Sequence, residues 1–322
     1  MALLVSLFFG VVPMIVLVGF VYWLDRYEKE PMLLLAAAFL WGAVIAAGGA
    51  FIINTVFGIG IFVATGSEGV ADFATASIVA PLVEEFLKGL AVAIVFFLFY
   101  KEFDSVLDGM IYAGVVALGF AATENTFYIY TKGYQEGGWE ALWFLVFVRV
   151  VLVGWQHPFY TAFTGVGFAL SRLNKNPIVK WLAPLVGYSV AVTAHAFHNT
   201  FGGLIGGLEG LAAGTLVDWI GWFLMFIFIV FMIGRERALV QKHLREEVAA
   251  GLISQAQYQQ ALSPMTMSIA PFKGRAVARF YQACGELAHK KEQFSKLGDE
   301  QGNAAIIQSL RSELATLARQ VR

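Results

Sequence analysis

The chain has a single cysteine, Cys284, in 322 residues, so no internal disulfide can form and nothing in the fold rests on oxidation. Charge is scarce as well. Asp, Glu, Lys and Arg make up 14% of the residues and hydrophobic residues 58%. A soluble domain holds about 25% charged and about 45–50% apolar residues. With a mean hydropathy of +0.69, this composition excludes an ordinary soluble protein. Two standard hydrolase signatures are missing too: there is no Gly-x-Ser-x-Gly elbow and no His-Glu-x-x-His zinc motif. No basic stretch precedes the first apolar run, which therefore does not read as a cleaved signal peptide. No internal repeat is visible, which speaks mildly against a transporter.

What the chain does have is long apolar runs. A helix needs about 20 such residues to cross a bilayer. Runs near 2–24, 32–56, 76–100, 107–129, 141–171, 181–204 and 211–233 fit. They are far longer than the alternating segments of about 10 residues that build a barrel. The expected fold is therefore all-α: a polytopic helical membrane protein with seven spans, or eight if 141–171 crosses twice. That run has 31 residues and is interrupted by QHPF, so it is either one tilted helix kinked at Pro158 or a re-entrant piece plus a span. Loop charge favours one crossing. Arg26 and Lys29, Lys101, the group Arg172, Lys175 and Lys180, and the basic tail then fall on one side, as the positive-inside rule requires. The expected topology puts the N-terminus outside and the C-terminus in the cytosol, in the cell membrane. Two regions follow, a membrane core over 1–233 and a tail over 234–322. The tail carries 13 Lys/Arg against 8 Asp/Glu, and the core 9 against 15.

The feature that points to function is a pair of adjacent carboxylates, Glu84 and Glu85, inside the third run in PLVEEFLKGL. A charged residue at the bilayer centre costs about 3 kcal/mol on insertion scales. Lys88 lies one helical turn after Glu84 and offsets part of that. Other polar residues sit in the spans: Glu124 in GFAATEN, Arg149 and His157 in the fifth run, and His195, His198 and Asn199 in AHAFHNT. With about 1.5 Å of rise per residue, the topology above places the carboxylates and imidazoles of four helices in one layer, in the outer half of the membrane. A composite site is the simplest reason for groups on separate helices to share a depth. Glutamates and histidines in a water-filled pocket suit hydrolysis. A glutamate can take a proton from the attacking water, while imidazoles and an amide hold the water and the oxyanion. The adjacent glutamates point about 100° apart on a helix, so one of them faces the pocket more directly.

Four motifs in order, EExxK at Glu84, Glu85 and Lys88, then DGMIYAGVVALGFAATEN, then a membrane histidine, then AHAFHN, resemble the PrsW family of glutamic-type intramembrane proteases. The DRYEKEP segment after the first run is similar to that family as well. More distantly, the family resembles the type II CAAX prenyl endopeptidases. The resemblance covers roughly residues 10–204. It implies a membrane endopeptidase whose catalytic set is Glu84, Glu85, Glu124, His157, His195 and Asn199, with Lys88, Arg149 and His198 in support. It implies no cofactor, no metal and no nucleic-acid partner. Its partners would be the bilayer and a single-pass membrane protein substrate, such as an anti-sigma factor cut near its extracytoplasmic boundary. One departure is His198, which stands where the family's last motif often has an aromatic residue.

Two other function classes stay open at the level of sequence. His157, His195 and a glutamate could hold a zinc ion and make the chain a metal-dependent hydrolase. The ionisable residues could instead serve a proton-coupled transporter or a scaffold. Structural roles also compete at single positions: Lys88 reads as a charge balancer, Asp104 and Asp108 as helix-starting residues, and Pro81 as a kink. In the tail, Gly251 is expected to end a helix, SPMTMSIAPFKG reads as a loop, and 275–321 as one or two amphipathic helices. Together they would form a small cytosolic helical hairpin or bundle on the membrane surface.

Overall fold

The computed structural model describes residues 1–299 and 302–321; at 202 and 203 only the backbone is described. Among the described residues there are helices and no strands. Their order is α1 (Ala2–Leu24), α2 (Met32–Leu40), α3 (Ala47–Thr65), α4 (Glu68–Ala74), α5 (Ala80–Leu98), α6 (Val106–Tyr128), α7 (Glu136–Val146), α8 (Gln156–Arg172), α9 (Pro177–Ile205) and α10 (Gly207–Ala249). The tail adds α11 (Gln255–Ala261), α12 (Thr266–Lys273), α13 (Arg275–Leu297) and α14 (Asn303–Leu317). Four π-helical turns, Trp41–Ala46, Thr75–Val79, Ile129–Gln135 and Phe147–Leu152, lie within this order. Among the described residues, five helical stretches are both long and apolar enough to cross a membrane: Ala2–Leu24, Met32–Thr65, Val106–Arg172, Pro177–Phe201 and Gly207–Ala249. α5, which carries Glu84, Glu85 and Lys88, falls outside that set. The all-α membrane architecture expected from composition is what forms.

α6 is the central post. Ser105 caps it by accepting from the Leu107 and Asp108 amides, and Asp108 returns the bond to the Ser105 amide in a capping box. Nearly every residue from Val106 to Ala122 is buried. Small residues let its neighbours come close. A Cβ on Gly109 would fall 2.3 Å from the Gly165 carbonyl oxygen, and one on Gly165 would fall 2.0 Å from that of Gly109, so α6 and α8 meet backbone to backbone.

The fifth apolar run divides in two just before QHPF. The chain leaves helical geometry at Val153–Trp155, before QHPF, and Pro158 sits in the first turn of α8. There its missing N–H breaks no helical bond, so the expected Pro158 kink does not occur. Upstream of the break, Arg149 reaches Glu124 and Asn125 near the end of α6. Downstream of it, Gly165 abuts Gly109 near the start of α6. The run travels the length of α6 once, in two pieces. Pro81 differs: it stands where the π-turn Thr75–Val79 hands over to the α-helix, inside one helical run from Glu68 to Leu98.

α10 runs unbroken past residue 233 to Ala249, and Gly251 follows at φ +69°, as its left-handed backbone requires. The segment SPMTMSIAPFKG is not all loop. Thr266–Lys273 forms α12, which buries Met267 and Ala270 in the tail's core. Its two buried residues carry too weak a pattern to show in sequence, and packing decides the matter. That core, with Phe280, Leu287, Leu310 and Leu314, also takes in Tyr27 from the loop after α1. α13 clamps the same loop. Gln282 bonds both the amide and the carbonyl of Lys29, and His289 pairs with Glu28.

Candidate active site

The site is assembled on α5. The preceding π-turn Thr75–Val79 widens the helix, a feature often found beside functional residues. One turn into α5, Glu84, Glu85 and Lys88 are 6%, 0% and 0% exposed. Burying them is tolerable only if they are paired. Lys88 Nζ lies 2.6 Å from Glu85 Oε1 and 3.2 Å from His157 Nδ1, above the face of Phe120 at 4.4 Å from its centroid. The other Glu85 oxygen accepts from Thr161 Oγ1 at 2.8 Å, and His195 Nδ1 stands 3.0 Å from Glu85 Oε1. Glu85 is thus saturated by neighbours on α5, α8 and α9.

Glu124 closes the other side. His157 Nε2 stands 2.8 Å from Glu124 Oε2, and the Arg149 guanidinium pairs with the same carboxylate. Arg149 also donates to Asn125 Oδ1 at 2.8 Å and covers the Tyr128 ring. A continuous polar chain therefore runs Arg149–Glu124–His157–Lys88–Glu85–His195, drawn from α5, α6, α8, α9 and the π-turn before α8.

Glu84 sits beside this chain without being tied into it. Its nearest partners are Asn54 Nδ2 at 3.5 Å, Lys88 Nζ at 3.9 Å and His195 Nε2 at 3.9 Å. Glu84 Oε2 is buried and has no hydrogen-bond partner. Three carboxylates face two fixed cations here, and Glu84 is the one left with an open oxygen. Both Glu84 and Glu124 line a cleft of about 730 Å³ between α3, α5 and α6.

Seven of the residues singled out in sequence come together in this way: Glu84, Glu85, Lys88, Glu124, Arg149, His157 and His195. Two stand apart. Asn199 donates to the Ala76 carbonyl at 2.8 Å and so ties α9 to the π-turn ahead of α5. His198 belongs to a second layer around Asp218, a buried residue of α10. Its Nδ1 is 2.9 Å from Asp218 Oδ2, which also accepts from Gln156 at 2.7 Å, while Asp218 Oδ1 accepts from the Tyr160 hydroxyl at 3.2 Å. The Tyr160 ring in turn stacks on His195. Sequence reading passed over Asp218, Tyr160, Thr161 and Asn54. Asp218 carried the same signal as Glu84, an acid within an apolar run; the other three are neutral and carried none.

Residues 30–234 match the family described as PrsW family intramembrane metalloproteases. The chain belongs to the PrsW family. The protease PrsW of Geobacillus kaustophilus is 34% identical over 182 residues, covering 56% of this chain and 73% of that protein. The protease PrsW of Oceanobacillus iheyensis is 27% identical over 236 residues, covering 71% and 94%. That of Clostridioides difficile is 36% identical over 121 residues, covering 36% and 48%. No solved structure matches the chain. The family match and the helical membrane core make this chain an intramembrane endopeptidase. The PrsW match takes in α2 to α9 and ends within α10, leaving α11–α14 outside it.

Proposed function

We propose that this PrsW protein hydrolyses a peptide bond of a membrane protein substrate with water activated by Glu84. The observation that carries the reading is the unpartnered Glu84 Oε2 at the end of a cleft, beside a charge network that is otherwise closed. Water in that place can give its proton to Glu84 as it attacks the carbonyl carbon, and Glu84 can pass that proton to the amine nitrogen as the C–N bond breaks. Glu85 is held by Lys88, Thr161 and His195, so its role is to orient them. Lys88 is the donor nearest the developing oxyanion; His195, whose Nδ1 faces Glu85, donates there from Nε2 only as the imidazolium. Arg149 and Glu124 fix His157 from behind. Asn199 acts at one remove, by setting the π-turn on which α5 begins.

A second reading has an observation of its own. Glu84, His157 and His195 each offer a ligand atom, and these atoms lie within 4.8 Å of one another. Each imidazole has a carboxylate behind it, Glu85 for His195 and Glu124 for His157, as metal-binding histidines commonly do. The three residues would hold a zinc-like ion, as the family's description would ask, with Lys88 Nζ giving up its place 3.2 Å from His157 Nδ1, the ring nitrogen that Glu124 leaves free. Such an ion would supply a Lewis acid and an activated water. Under either reading Glu85 and Glu124 position the imidazoles.

The proposed substrate is a single-pass membrane protein, an anti-sigma factor being one example. The proposed topology has seven crossings, with the N-terminus outside and the tail in the cytosol, which puts the cut near the extracytoplasmic boundary. The test compares new protein termini in membranes bearing wild type, Glu84→Gln or Glu85→Gln at equal expression. Termini beside membrane spans that vanish with Glu84→Gln support the mechanism; an unchanged set overturns it. Elemental analysis and chelation of the purified protein separate the two readings. A stoichiometric metal whose removal stops cleavage, and whose return restores it, decides for the second.

A further inference from the structure

The cleft in front of Glu84 is lined by two residues, Asn54 and Thr75, that carry buried unpartnered oxygens and that the hydrolytic chain does not use. Its wall is largely apolar, with Ala47, Ala50, Phe51, Phe120 and Phe127 prominent, and Asp72 and Lys132 also line it. Asp72 precedes Glu84 by twelve residues in one helical run, and Lys132 follows Glu124 by eight. At about 1.5 Å per residue these two mark a mouth roughly 12–18 Å from the carboxylates. Along the way Asn54 Oδ1 and Thr75 Oγ1 are buried and have no hydrogen-bond partner, like Glu84 Oε2. Polar atoms left unpaired in a site of this kind are costly unless a ligand completes them. Water accounts for Glu84; nothing within the protein accounts for the other two.

Their spacing identifies the ligand. Asn54 and Gly58 stand one turn apart on one face of α3, and a Cβ on Gly58 would fall 3.2 Å from Thr75 Oγ1. Thr75 therefore lies about 6 Å from Asn54 along the cleft. An extended peptide presents the same edge every two residues, about 6.6 Å apart. One edge of such a chain meets Thr75 and then Asn54, and the peptide group beyond Asn54 arrives at Glu84, whose Oε1 is 3.5 Å from Asn54 Nδ2. The apolar wall takes the side chains. A helical segment cannot do this, because its amides and carbonyls are already paired with each other.

We infer that Asn54 and Thr75 bind the substrate backbone, so that the cleft admits an unwound, extended segment of the substrate and lays it against Glu84. Asn54 Oδ1 accepts from a peptide N–H beside the scissile bond, and the Thr75 hydroxyl bonds the peptide group two residues away. This rests on hydrolysis at Glu84 as proposed above.

The test uses the full-length protein in detergent and a synthetic peptide covering the cleavage site that the Glu84→Gln comparison identifies. Asn54→Ala and Thr75→Val should each lower kcat/KM about tenfold with no change in melting temperature, Thr75→Val mainly by raising KM and Asn54→Ala, which also takes a contact from Glu84, through both KM and kcat. Thr75→Ser should restore the wild-type value. N-methylating the peptide amide that meets Asn54 should slow the wild type and leave Asn54→Ala unaffected. Cleavage at wild-type kcat/KM by both variants overturns the inference while leaving the Glu84 mechanism intact. A loss of activity that tracks a loss of melting temperature also overturns it, since the residues would then be structural. If Glu84→Gln removes no termini, the inference falls with the mechanism on which it depends.

Discussion

Tyr160 lies flat against His195, with ring centroids 5.0 Å apart and planes 20° from parallel, while its hydroxyl donates to Asp218 at 3.2 Å. The imidazole that faces Glu84 is thus backed by a ring anchored to a different helix. α10 reaches this layer through Asp218. Removing the anchor should loosen the imidazole without touching the reacting atoms. Tyr160→Phe and Asp218→Asn are expected to lower kcat by about 10- to 100-fold, the scale of a misplaced catalytic group, with KM little changed. Kinetics on a cleaved peptide check this, and a wild-type kcat in both variants would refute the role.

The two adjacent glutamates should separate by stability. Glu85 is fully buried and bonded to Lys88, Thr161 and His195. Glu85→Gln leaves the Lys88 ammonium buried beside a neutral amide, which costs about 3–5 kcal/mol for a broken buried pair. Glu84→Gln meets no close partner and should melt near the wild type while losing activity. Adding Lys88→Met to Glu85→Gln should recover stability and not activity. Thermal unfolding in detergent reads all three, and equal melting of the two single variants would contradict the division of roles.

The tail should undock when its closest approach is blocked. A Cβ on Gly285 would fall 1.8 Å from the Tyr27 carbonyl oxygen, so α13 meets the first loop only because residue 285 lacks a side chain. Gly285→Val is expected to cost about 1–3 kcal/mol as overpacking and to speed proteolysis between α12 and α14. A digestion rate equal to wild type would show that the contact does not hold the tail.

Docking should also weaken as pH rises. Burial pushes the Asp25 and Glu28 carboxyls up to about 7. Burial opposes the charge on His289, but Glu28 and Asp104 outweigh it and hold the imidazole well above its usual range. All three values lie above those of the unfolded chain. Their stabilisation is therefore complete below the unfolded values and is lost as pH climbs through the folded ones. Lys290, paired with Asp104 at 2.6 Å, keeps its charge throughout. The protection of α13 amides, taken as exchange relative to the intrinsic rate at each pH, should fall between pH 5 and pH 8. A flat profile, or protection that grows with pH, would refute the sign.

Much of the site was legible because membranes make polar residues conspicuous. Glu84, Glu124, His157 and His195 stood out one by one against apolar runs, and rise per residue put them at a shared depth before any packing was known. The second layer was less visible. Tyr160 and Thr161 differ little from residues that merely fill a core, and Asn54 looked like one polar residue in a long apolar helix. The break at Val153–Trp155 was signalled by the polar QHPF, but hydropathy could not tell one kinked helix from two pieces.

The sequence alone determined the class of the molecule. So little charge and so many apolar runs of membrane length leave no other architecture, and two carboxylates in one such run, with imidazoles at matching depth in others, already pointed to one composite site. Only the tertiary structure decided which glutamate is tied up and which is open. It also decided that Asp218 stands behind His195 and that Asn54 and Thr75 face one cleft. Helical periodicity fixes which residues share a face of one helix. It says nothing about the register in which two helices meet; here backbone contacts such as Gly109 with Gly165 set that register.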